Sequence, residues 1–555
     1  MSSYFHALAV DYDGTLARGP RPTSEVLNAV AIVRDNGYKV VLVTGRILSE
    51  LRADFPDVDQ HFDCIVGENG AVVSSRHGTR LLGPPVDSAL EYDLRTQGIP
   101  VRRGEVLLAT NSIHDEFVTS AIDRLGFECQ IVRNRAALMV LPAGVTKGSG
   151  LNEALGDLGI SPHNTVGIGD AENDHSLLDA CEIGVAVGDA VPSLKARADL
   201  VLGGVDGEAV DAFLVGPFLG GLTGLQSRRR TIALGTYDDG TMTTLPASRI
   251  SIAINGASGT GKSFLAGLIA EQLIQMNYAI CILDLEGDHL AIGGLHGAVA
   301  LGGREPLPPP AQVDRVIRQG FSSVVIDLSL QTPDVKRRYA LAILEQLRLT
   351  RSTVGLPHWI IVDEAHVPIA GGLRHWWRDS DESGICVITY RPDLLAPELE
   401  QYADFVITAR GPSGEPAIPR RRRPRTRLHS RRAAHRAREA LAQVHRRPAA
   451  HRAAVLFPGP SRPNRTQCGQ PARVPRRGPP RVGRDASSPR LARRFFAMAG
   501  ERVPCAVDRE GGAGHGGRSG TGHDGHRCGA PARSATPRTR RQIQHAAIRC
   551  AAGIR

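Results

Sequence analysis

The chain has 555 residues, 42% of them hydrophobic, which is enough apolar material for several folded domains and excludes a wholly disordered protein. Its net charge of +10 conceals two unlike parts. Residues 416–555 contain 33 arginines, no lysine and 6 acidic residues, a net charge of +27. Residues 1–415 contain 34 basic and 51 acidic residues, a net charge of −17. The sequence is an acidic body followed by a strongly basic tail.

The 9 cysteines are scattered, with no CxxC pair and no cysteine–histidine cluster at the spacing of a zinc site. This pattern favours a reducing compartment over a disulfide framework. The N-terminus lacks the basic region and apolar run of a signal peptide. The most apolar stretch, residues 212–225, is too short and too rich in glycine to span a bilayer. We therefore expect a soluble, cytoplasmic protein without a membrane segment.

Residues 1–214 alternate apolar runs with amphipathic stretches, which is typical of an α/β domain with a mainly parallel sheet. In chain order, the pattern predicts a strand at 5–10, a helix at 24–36, strands at 39–43 and 164–168, and helices at 148–158 and 174–181. Chemistry-bearing residues follow several of these strands.

The first predicted strand ends in Asp11-Tyr12-Asp13-Gly14-Thr15. Open parallel sheets bind their ligands at the carboxyl ends of the strands, so both carboxylates are expected in a binding site. On a phosphate ester, Asp11 would attack phosphorus as a nucleophile, and Asp13 would protonate the leaving oxygen and later activate water. A motif this short also occurs as a surface turn, so its weight depends on the motifs that follow.

Three further motifs support a phosphate site. The strand at 39–43 is followed by Thr44 and Gly45, which are suited to hold a phosphate oxygen. Lys147, one of only 5 lysines in the chain, can neutralise charge on a transferring phosphoryl group. The strand at 164–168 leads into a cluster of acids within 170–174, as a hard cation such as Mg²⁺ requires.

In order and spacing, these motifs resemble those of the Cof-type phosphatases of the haloacid dehalogenase (HAD) superfamily, over about residues 4–214. The resemblance implies a HAD Rossmann-like parallel sheet and an aspartyl-phosphate mechanism, with Asp11 as nucleophile and Asp13 as general acid/base. It implies phosphate binding by Thr15, Thr44, Gly45, Lys147 and Asn173. It implies a Mg²⁺ site made by Asp11, the backbone carbonyl of Asp13, Asp170 and Asp174.

The family places its cap between Arg46 and Lys147, which here predicts a small α/β cap near residues 83–140. The cap selects the substrate, and the default is a small phosphorylated metabolite such as a sugar phosphate or phosphoglycolate. Asp93 and Arg95 are candidate substrate contacts, although solvated surface charge is the stronger interpretation of both.

A second α/β pattern occupies residues 231–415, after a glycine-rich linker at 215–230. Strands are predicted at 251–255, 279–283, 322–326, 359–362 and 385–389, helices at 263–276 and 335–349, and a proline-rich loop at 301–310. This pattern predicts a second α/β domain.

The strand at 251–255 leads into a segment that fits the P-loop pattern GxxxxGK[ST] and precedes a predicted helix. The segment is Gly256-Ala257-Ser258-Gly259-Thr260-Gly261-Lys262-Ser263. In such a loop the backbone N–H groups surround the phosphates of ATP, Lys262 reaches the terminal phosphates, and Ser263 binds Mg²⁺. The strand at 359–362 ends in Asp363, which suits the Mg²⁺ shell, and Glu364, which can polarise the attacking water.

With the stretches 234–245, 282–288 and 389–392, these motifs resemble the HerA/FtsK class of P-loop ATPases over residues 231–410. The resemblance implies a homo-oligomeric ring that moves DNA or another polymer. Two features depart from the family. Tyr390 stands where a polar glutamine is usual, and the usual end of the domain is missing where the basic tail begins.

The sequence therefore predicts a Mg²⁺-dependent phosphomonoester hydrolase fused to an ATP-binding, ATP-hydrolysing module. A nucleic-acid end-processing kinase-phosphatase pairs the same two modules, which leaves nucleic acid open as a partner. A phosphatase regulated by a non-motor ATP switch is a third interpretation.

Residues 416–555 show no lasting helical or strand period. They are either a disordered basic arm that neutralises phosphates or the product of a reading-frame slip in GC-rich coding DNA. The break falls where the second sheet should still be completing, which favours the slip. No function is assigned to the tail.

Overall fold

The structure is a computed structural model that describes residues 4–204, 207–236, 242–369, 383–395 and 403–409. The prediction of a disordered or frameshifted tail at 416–555 lies outside the described residues. Residues 4–230 are called the first module below, and residues 231–409 the second module.

The first module contains twelve described strands and nine described helices. In chain order they are β1 (Ala7–Asp11), α1 (Ser24–Asp35), β2 (Lys39–Val43), α2 (Leu48–Asp54), α3 (Val58–His61), β3 (Cys64–Gly67), β4 (Val72–Ser75), β5 (Gly78–Leu81), α4 (Ser88–Thr96), β6 (Arg102–Arg103), β7 (Leu108–Asn111), α5 (Asp115–Leu125), β8 (Cys129–Asn134), β9 (Ala137–Pro142), α6 (Lys147–Leu158), β10 (Thr165–Gly169), α7 (His175–Ala180), β11 (Ile183–Ala186), α8 (Pro192–Arg197), β12 (Leu200–Val201) and α9 (Gly207–Phe213).

Eight of these strands form one sheet in the order β12-β11-β10-β1-β2-β3-β4-β5. The six strands from β12 to β3 run parallel, whereas β4 and β5 join the edge antiparallel. The central strands are buried along their whole length, as in a sheet covered by helices on both faces. The predicted parallel sheet is thus a mixed one, because two short hairpin-connected strands extend it.

The cap is a separate four-stranded antiparallel sheet in the order β6-β7-β9-β8, with α4 and α5 packed on it. Its own small core includes Leu90, Leu94 and Val118. The cap elements span Ser88 to Pro142.

The second module contains nine described strands and four described helices. They are β13 (Thr231–Thr236), β14 (Met242–Pro246), β15 (Ile252–Asn255), α10 (Lys262–Gln275), β16 (Ile280–Asp284), β17 (Ala298–Gly302), α11 (Pro310–Arg318), β18 (Ser323–Asp327), α12 (Pro333–Val354), β19 (Trp359–Val362), α13 (His366–Ile369), β20 (Ile385–Thr389) and β21 (Phe405–Thr408).

Seven of its strands form a fully parallel sheet in the order β17-β18-β16-β19-β20-β15-β21, and β13 and β14 form a hairpin beside it. Apolar clusters cover both faces of the sheet. The predicted loop at 301–310 overlaps the end of β17, which is a half-exposed edge strand. Its short apolar run is not a clear strand signal in the sequence.

The glycine-rich segment at 215–230, predicted as a linker, packs on the first module. Leu214–Phe218 forms a single π-helical turn, and Phe218 and Leu222 are buried in the core of the first module. Arg229 donates hydrogen bonds to the carbonyl of Leu178 at 2.6 Å and to Asp199 Oδ2 at 2.8 Å. These contacts hold the segment against the first module rather than leaving it extended between two sheets.

The two modules meet through a buried polar cluster around Glu182, whose side chain is fully buried. The hydroxyl groups of Tyr278 and Ser248, from the second module, donate hydrogen bonds to its carboxylate, the former at 2.8 Å. His163 of the first module contacts Glu182 Oε2 at 2.8 Å and the Met276 carbonyl of the second module at 2.9 Å. Within the described ranges, no helix is long and apolar enough to cross a membrane.

Candidate active sites

The first candidate site lies at the carboxyl edge of the larger sheet, where β1, β2 and β10 end side by side. Asp11 is the last residue of β1, Thr44 follows β2, and Asp170 follows β10. All three side chains are buried, with exposed fractions of 2% or less. Adjacent parallel strands therefore bring together residues that lie far apart in the sequence.

Lys147 links two of the carboxylates. It is the first residue of α6, and its Nζ donates to Asp11 Oδ1 at 2.5 Å and to Asp174 Oδ1 at 2.6 Å. Burial would lower the pKa of Lys147, but the charges of Asp11 and Asp174 raise it above its ordinary value, so the side chain stays charged. Burial, and then the charge of Asp174, raises the pKa of Asp11 well above its usual range.

One carboxylate oxygen from each of Asp11, Asp170 and Asp174 lies within 4.8 Å of the others. Burial, followed by the charge of Asp174, raises the pKa of Asp170 to about 6. Asp174 Oδ2 already accepts the backbone N–H groups of Asp170 at 2.9 Å and Ala171 at 3.0 Å. Three buried, crowded carboxylates are the hard oxygen donors that Mg²⁺ prefers, so the residues present fit this ion.

Gly14 packs directly against this cluster. Its φ is +83°, and a Cβ at this position would lie 2.3 Å from Asp170 Oδ2. Thr15, the residue after Gly14, donates from Oγ1 to Asp170 Oδ1 at 3.4 Å. The turn after β1 therefore needs glycine both for its backbone conformation and for the room that Asp170 occupies.

Asp13 is placed differently from the buried acids. Its side chain is 48% exposed and is held by Arg46, whose Nη2 donates to Asp13 Oδ1 at 2.6 Å. Arg46 also binds Asp54 at 2.9 Å and lies over the Tyr12 ring. Asp13 thus lies at the solvent-exposed mouth of the site.

The remaining predicted phosphate ligands line the same edge. Thr44 Oγ1 accepts the backbone N–H of Arg46 at 3.1 Å. Asn173 Nδ2 donates to Asn69 Oδ1 at 3.1 Å, whereas the buried Asn173 Oδ1 has no hydrogen-bond partner among the described residues. A Cβ on Gly45 would lie 3.6 Å from Asn173 Nδ2, so Gly45 borders the same space.

The sequence did not reveal the contacts between the cap and this site. The buried carboxylate of Glu68 accepts the backbone N–H groups of Glu105 at 2.8 Å, Val106 at 2.9 Å and Leu107 at 3.1 Å. Glu68 and Asn69 both have positive φ, 51° and 57°, which is unusual for residues other than glycine. Glu68 anchors the cap to the core.

A second unforeseen contact comes from Arg135, in the turn between β8 and β9, which donates a hydrogen bond to Asp170 Oδ2. The two cap residues singled out from the sequence have other partners. Asp93 pairs with Arg124, and Arg95 pairs with Glu91 at 2.9 Å on the surface. Arg135, unlike Asp93 and Arg95, therefore reaches the Asp11 site from the cap.

The second candidate site is the predicted P-loop, residues 256–263, which connects β15 to α10. Gly256, Gly259 and Gly261 have positive φ values of 153°, 76° and 84°, so the loop takes turns that glycine permits without strain. Lys262 is only 6% exposed, and its Nζ donates to the Ala257 carbonyl at 3.0 Å. Ser263 follows in the first turn of α10.

The acidic pair lies at the end of β19, on the same edge of the second sheet as the P-loop. Asp363 is buried, and its Oδ2 lies 3.2 Å from His289 Nε2. Glu364 has a φ of +43°, and burial, followed by the charge of Asp363 and against that of Lys262, raises its pKa to about 7. Tyr390 is 42% exposed beyond β20, with its ring against His366.

Comparisons with known families agree with both resemblances. The model of the haloacid dehalogenase-like hydrolases matches residues 8–86 and 106–214. The model of the central domain of helicase HerA matches residues 247–307, which include the P-loop but end before Asp363.

Two archaeal proteins are similar to the first module along nearly their whole length. The phosphoglycolate phosphatase of Methanothermobacter thermautotrophicus is 31% identical over 213 residues, which cover 37% of this chain and 95% of that protein. The phosphoglycolate phosphatase of Archaeoglobus fulgidus is 30% identical over 213 residues, which cover 37% of this chain and 93% of that protein.

Among solved structures, a HAD subclass IIB sugar phosphatase is 21% identical, with a TM-score of 0.33 over 39% of this chain and 99% of that chain. Through residues 8–214 the chain therefore belongs to the Cof-type, haloacid dehalogenase-like hydrolases, and it also carries a region of the HerA central-domain family.

Proposed function

We propose that the first module, with its catalytic domain at residues 1–214, hydrolyses small phosphomonoesters through a covalent intermediate on Asp11. The observation that carries this proposal is the position of the buried Lys147. Its Nζ donates hydrogen bonds to Asp11 at 2.5 Å and to Asp174 at 2.6 Å. A lysine in this position neutralises negative charge where a phosphoryl group would meet Asp11. A carboxylate at a strand end beside such a cation is suited to nucleophilic attack.

The residues divide the reaction into two steps. Asp11 attacks phosphorus, the ester P–O bond breaks, and Asp13 gives its proton to the departing oxygen. Asp13 then takes a proton from water, which attacks the aspartyl phosphate and releases inorganic phosphate and free Asp11. Thr15, Thr44, Gly45 and Asn173 surround the phosphoryl oxygens, and Lys147 offsets their charge.

Asp11, the Asp13 backbone carbonyl and Asp170 would hold Mg²⁺, with Asp174 supporting them through the backbone N–H groups that it accepts. The ion would supply positive charge that favours the ionised carboxylates and polarises the phosphoryl group. Phosphoglycolate is the first substrate to test, because the archaeal relatives bear the name of that activity.

The test of the first proposal compares wild type and Asp11→Asn on 2-phosphoglycolate and on an aryl phosphate, with Mg²⁺ and with a chelator. Asparagine keeps the size of the side chain but removes the nucleophile, so activity should fall by about three orders of magnitude or more. A matched control is Asp59→Asn, because Asp59 pairs with Arg52 on the surface of the same module. Near-wild-type activity of Asp11→Asn would show that the assignment is wrong.

We also propose that the domain predicted at residues 231–415 binds and hydrolyses ATP. The supporting observation is that Lys262 and Glu364 lie at the same edge of the sheet. They are close enough that the positive charge of Lys262 lowers the pKa of Glu364, which burial and Asp363 raise. The phosphates would bind to the loop 256–263, Ser263 and Asp363 would hold Mg²⁺, and Glu364 would orient the attacking water.

Lys262→Ala should abolish ATP binding, and Glu364→Gln should leave ATP bound but uncleaved. Binding is measured with a fluorescent ATP analogue and turnover by phosphate release, with and without DNA. Phosphate transfer to a DNA end would favour the kinase-phosphatase interpretation, whereas binding without Glu364-dependent turnover would favour the ATP switch. Stimulation by DNA, with a ring detected by sedimentation, would favour a motor.

A further inference from the structure

The tip of the β8–β9 hairpin of the cap lies over the Asp11 site. Asn134 pairs with Ala137, so Arg135 and Ala136 form a two-residue turn. Met139 of the same hairpin is buried, and its Sδ lies 3.4 Å from where a Cβ on Gly45 would stand. The hairpin therefore brings one arginine and one apolar side chain to the mouth of the site.

Arg135 occupies a position that glycine would fill with less strain. Its φ is +51°, at the first position of the two-residue turn. The left-handed conformation is unfavourable for a residue with a Cβ, because the Cβ comes too close to the following carbonyl oxygen. A strained arginine whose guanidinium reaches the acidic cluster indicates that the side chain has a role there.

The cap is held in place independently of Arg135. Three consecutive backbone N–H groups, from residues 105–107, donate to the buried carboxylate of Glu68 in the core. This anchor lies in the segment between β6 and β7, whereas β8 is the edge strand on the other side of the cap sheet. The position of Arg135 over the site follows from the fixed cap.

Arg135 still has donors to offer. A guanidinium carries five N–H groups in a planar fork, and the bond to Asp170 uses one of them. The side chain is 58% exposed. Lys147 and Arg46 also lie at this edge, but Lys147 bridges Asp11 and Asp174, and Arg46 is held by carboxylates at 2.6 and 2.9 Å. Arg135 is thus suited to bind a second anionic group beside the phosphoryl site.

We propose that Arg135 binds a carboxylate on the leaving group of the substrate and so makes the enzyme selective for phosphomonoesters of small hydroxy acids. The inference rests on the proposed phosphatase function. Asp170 lies within 4.8 Å of Asp11 by their nearest ligand atoms, and the guanidinium is one hydrogen bond beyond Asp170. That reach suits a carboxylate separated from phosphorus by one ester oxygen and one carbon.

The test compares two esters that differ only at the end of the leaving group: 2-phosphoglycolate and the neutral 2-hydroxyethyl phosphate. For Arg135→Ala, the ratio of kcat/KM between the acid and the neutral ester should fall about 10- to 100-fold, mainly through KM for the acid. The ratio for Arg135→Lys should lie between those of Arg135→Ala and wild type, because lysine keeps the positive charge but lacks the planar fork of N–H donors.

Arg133→Ala is the matched control. Arg133 lies in the same hairpin, is also 58% exposed and also pairs with an aspartate, Asp115, but belongs to the outer strand rather than the turn. Its ratio should stay within about twofold of wild type.

Three results would overturn the inference. An unchanged ratio in Arg135→Ala, or an equal fall in Arg133→Ala, would deny Arg135 a specific role in recognising the acid. Wild-type turnover of the neutral ester without turnover of 2-phosphoglycolate would reject the inference and leave the phosphatase proposal standing. If wild type cleaves neither ester nor an aryl phosphate, the proposed function itself fails.

Discussion

Glu182 is expected to stabilise both modules at once, although it belongs to the first. Its fully buried carboxylate is contacted by Tyr278 Oη and His163 Nδ1, both at 2.8 Å, and by Ser248 Oγ, and Arg230 Nε lies at 3.5 Å. Burial raises the pKa of Glu182, but His163 and Arg230 outweigh it and hold the pKa below its usual value, so the group is ionised.

Glu182→Ala should therefore leave buried donors, and the partly buried Arg230, without their partner. Removing one member of a buried ion pair costs about 3–5 kcal/mol, a large share of a typical stability of about 5–15 kcal/mol. Tyr278→Phe keeps the ring, which stacks on His163 at 3.7 Å, and removes only the hydroxyl, so it should cost about 1–2 kcal/mol.

The assay needs a separate signal from each module. All 3 tryptophans, residues 359, 376 and 377, belong to the sequence of the second module, so their fluorescence during urea unfolding reports on that module. Hydrogen exchange in peptides that contain β1 and β10 reports on the first. Both signals should shift in Glu182→Ala and, to a smaller extent, in Tyr278→Phe.

The control for these variants is Glu153→Ala, which removes an exposed partner of Arg80 and should cost less than about 1 kcal/mol. The reasoning is refuted if Glu182→Ala moves the tryptophan signal no further than Glu153→Ala does. In that case the polar cluster would not couple the stability of the two modules.

Two further predictions concern single residues. Burial, and then the nearby His163, lowers the pKa of His358 well below 6.5, and its Nδ1 accepts the Ala279 N–H at 2.9 Å. His358 therefore stays neutral in the folded protein at a pH near 6.5, where it binds a proton in the unfolded chain. The free energy of unfolding should therefore be constant above pH 6.5 and fall by about 1.4 kcal/mol per pH unit below it. His358→Asn should flatten this slope in thermal melts, and an identical slope in that variant would contradict the prediction. Gly14→Ala would place a Cβ 2.3 Å from Asp170 Oδ2, so half-maximal phosphatase activity should require about tenfold more Mg²⁺; unchanged Mg²⁺ dependence would exclude the proposed role of Asp170.

The strands that carry both sites could be predicted because they are buried apolar runs followed at once by chemistry-bearing residues. Asp11 ends β1 and Lys262 begins α10, close to where the sequence placed them. The helix predicted at 148–158 is α6, which begins one residue earlier, at Lys147, with a capping box between Thr146 and Ser149. Local pattern and parallel-sheet geometry were sufficient for these features.

The contacts of Arg135, Glu68 and Glu182 could not be predicted in the same way. Arg135 of the cap reaches Asp170 of the core, 35 positions away, and Glu68 meets residues 37 to 39 positions away. Glu182 lies 96 positions from Tyr278. In the sequence each of these is an ordinary charged residue. Whether it is buried, and which groups it contacts, depends on how the cap packs on the core and how the two modules pack on each other.

The most direct test of the central claim is to look for phosphate on Asp11 itself. Wild-type protein is mixed with Mg²⁺ and an aryl phosphate, quenched in acid, reduced with borohydride and examined by peptide mass spectrometry, because borohydride reduces an aspartyl phosphate to homoserine. The account predicts homoserine at position 11, none in Asp11→Asn, and retention of the adduct in Asp13→Asn, in which water is no longer activated. Phosphate release without any adduct at position 11, or an adduct on another residue, would contradict it.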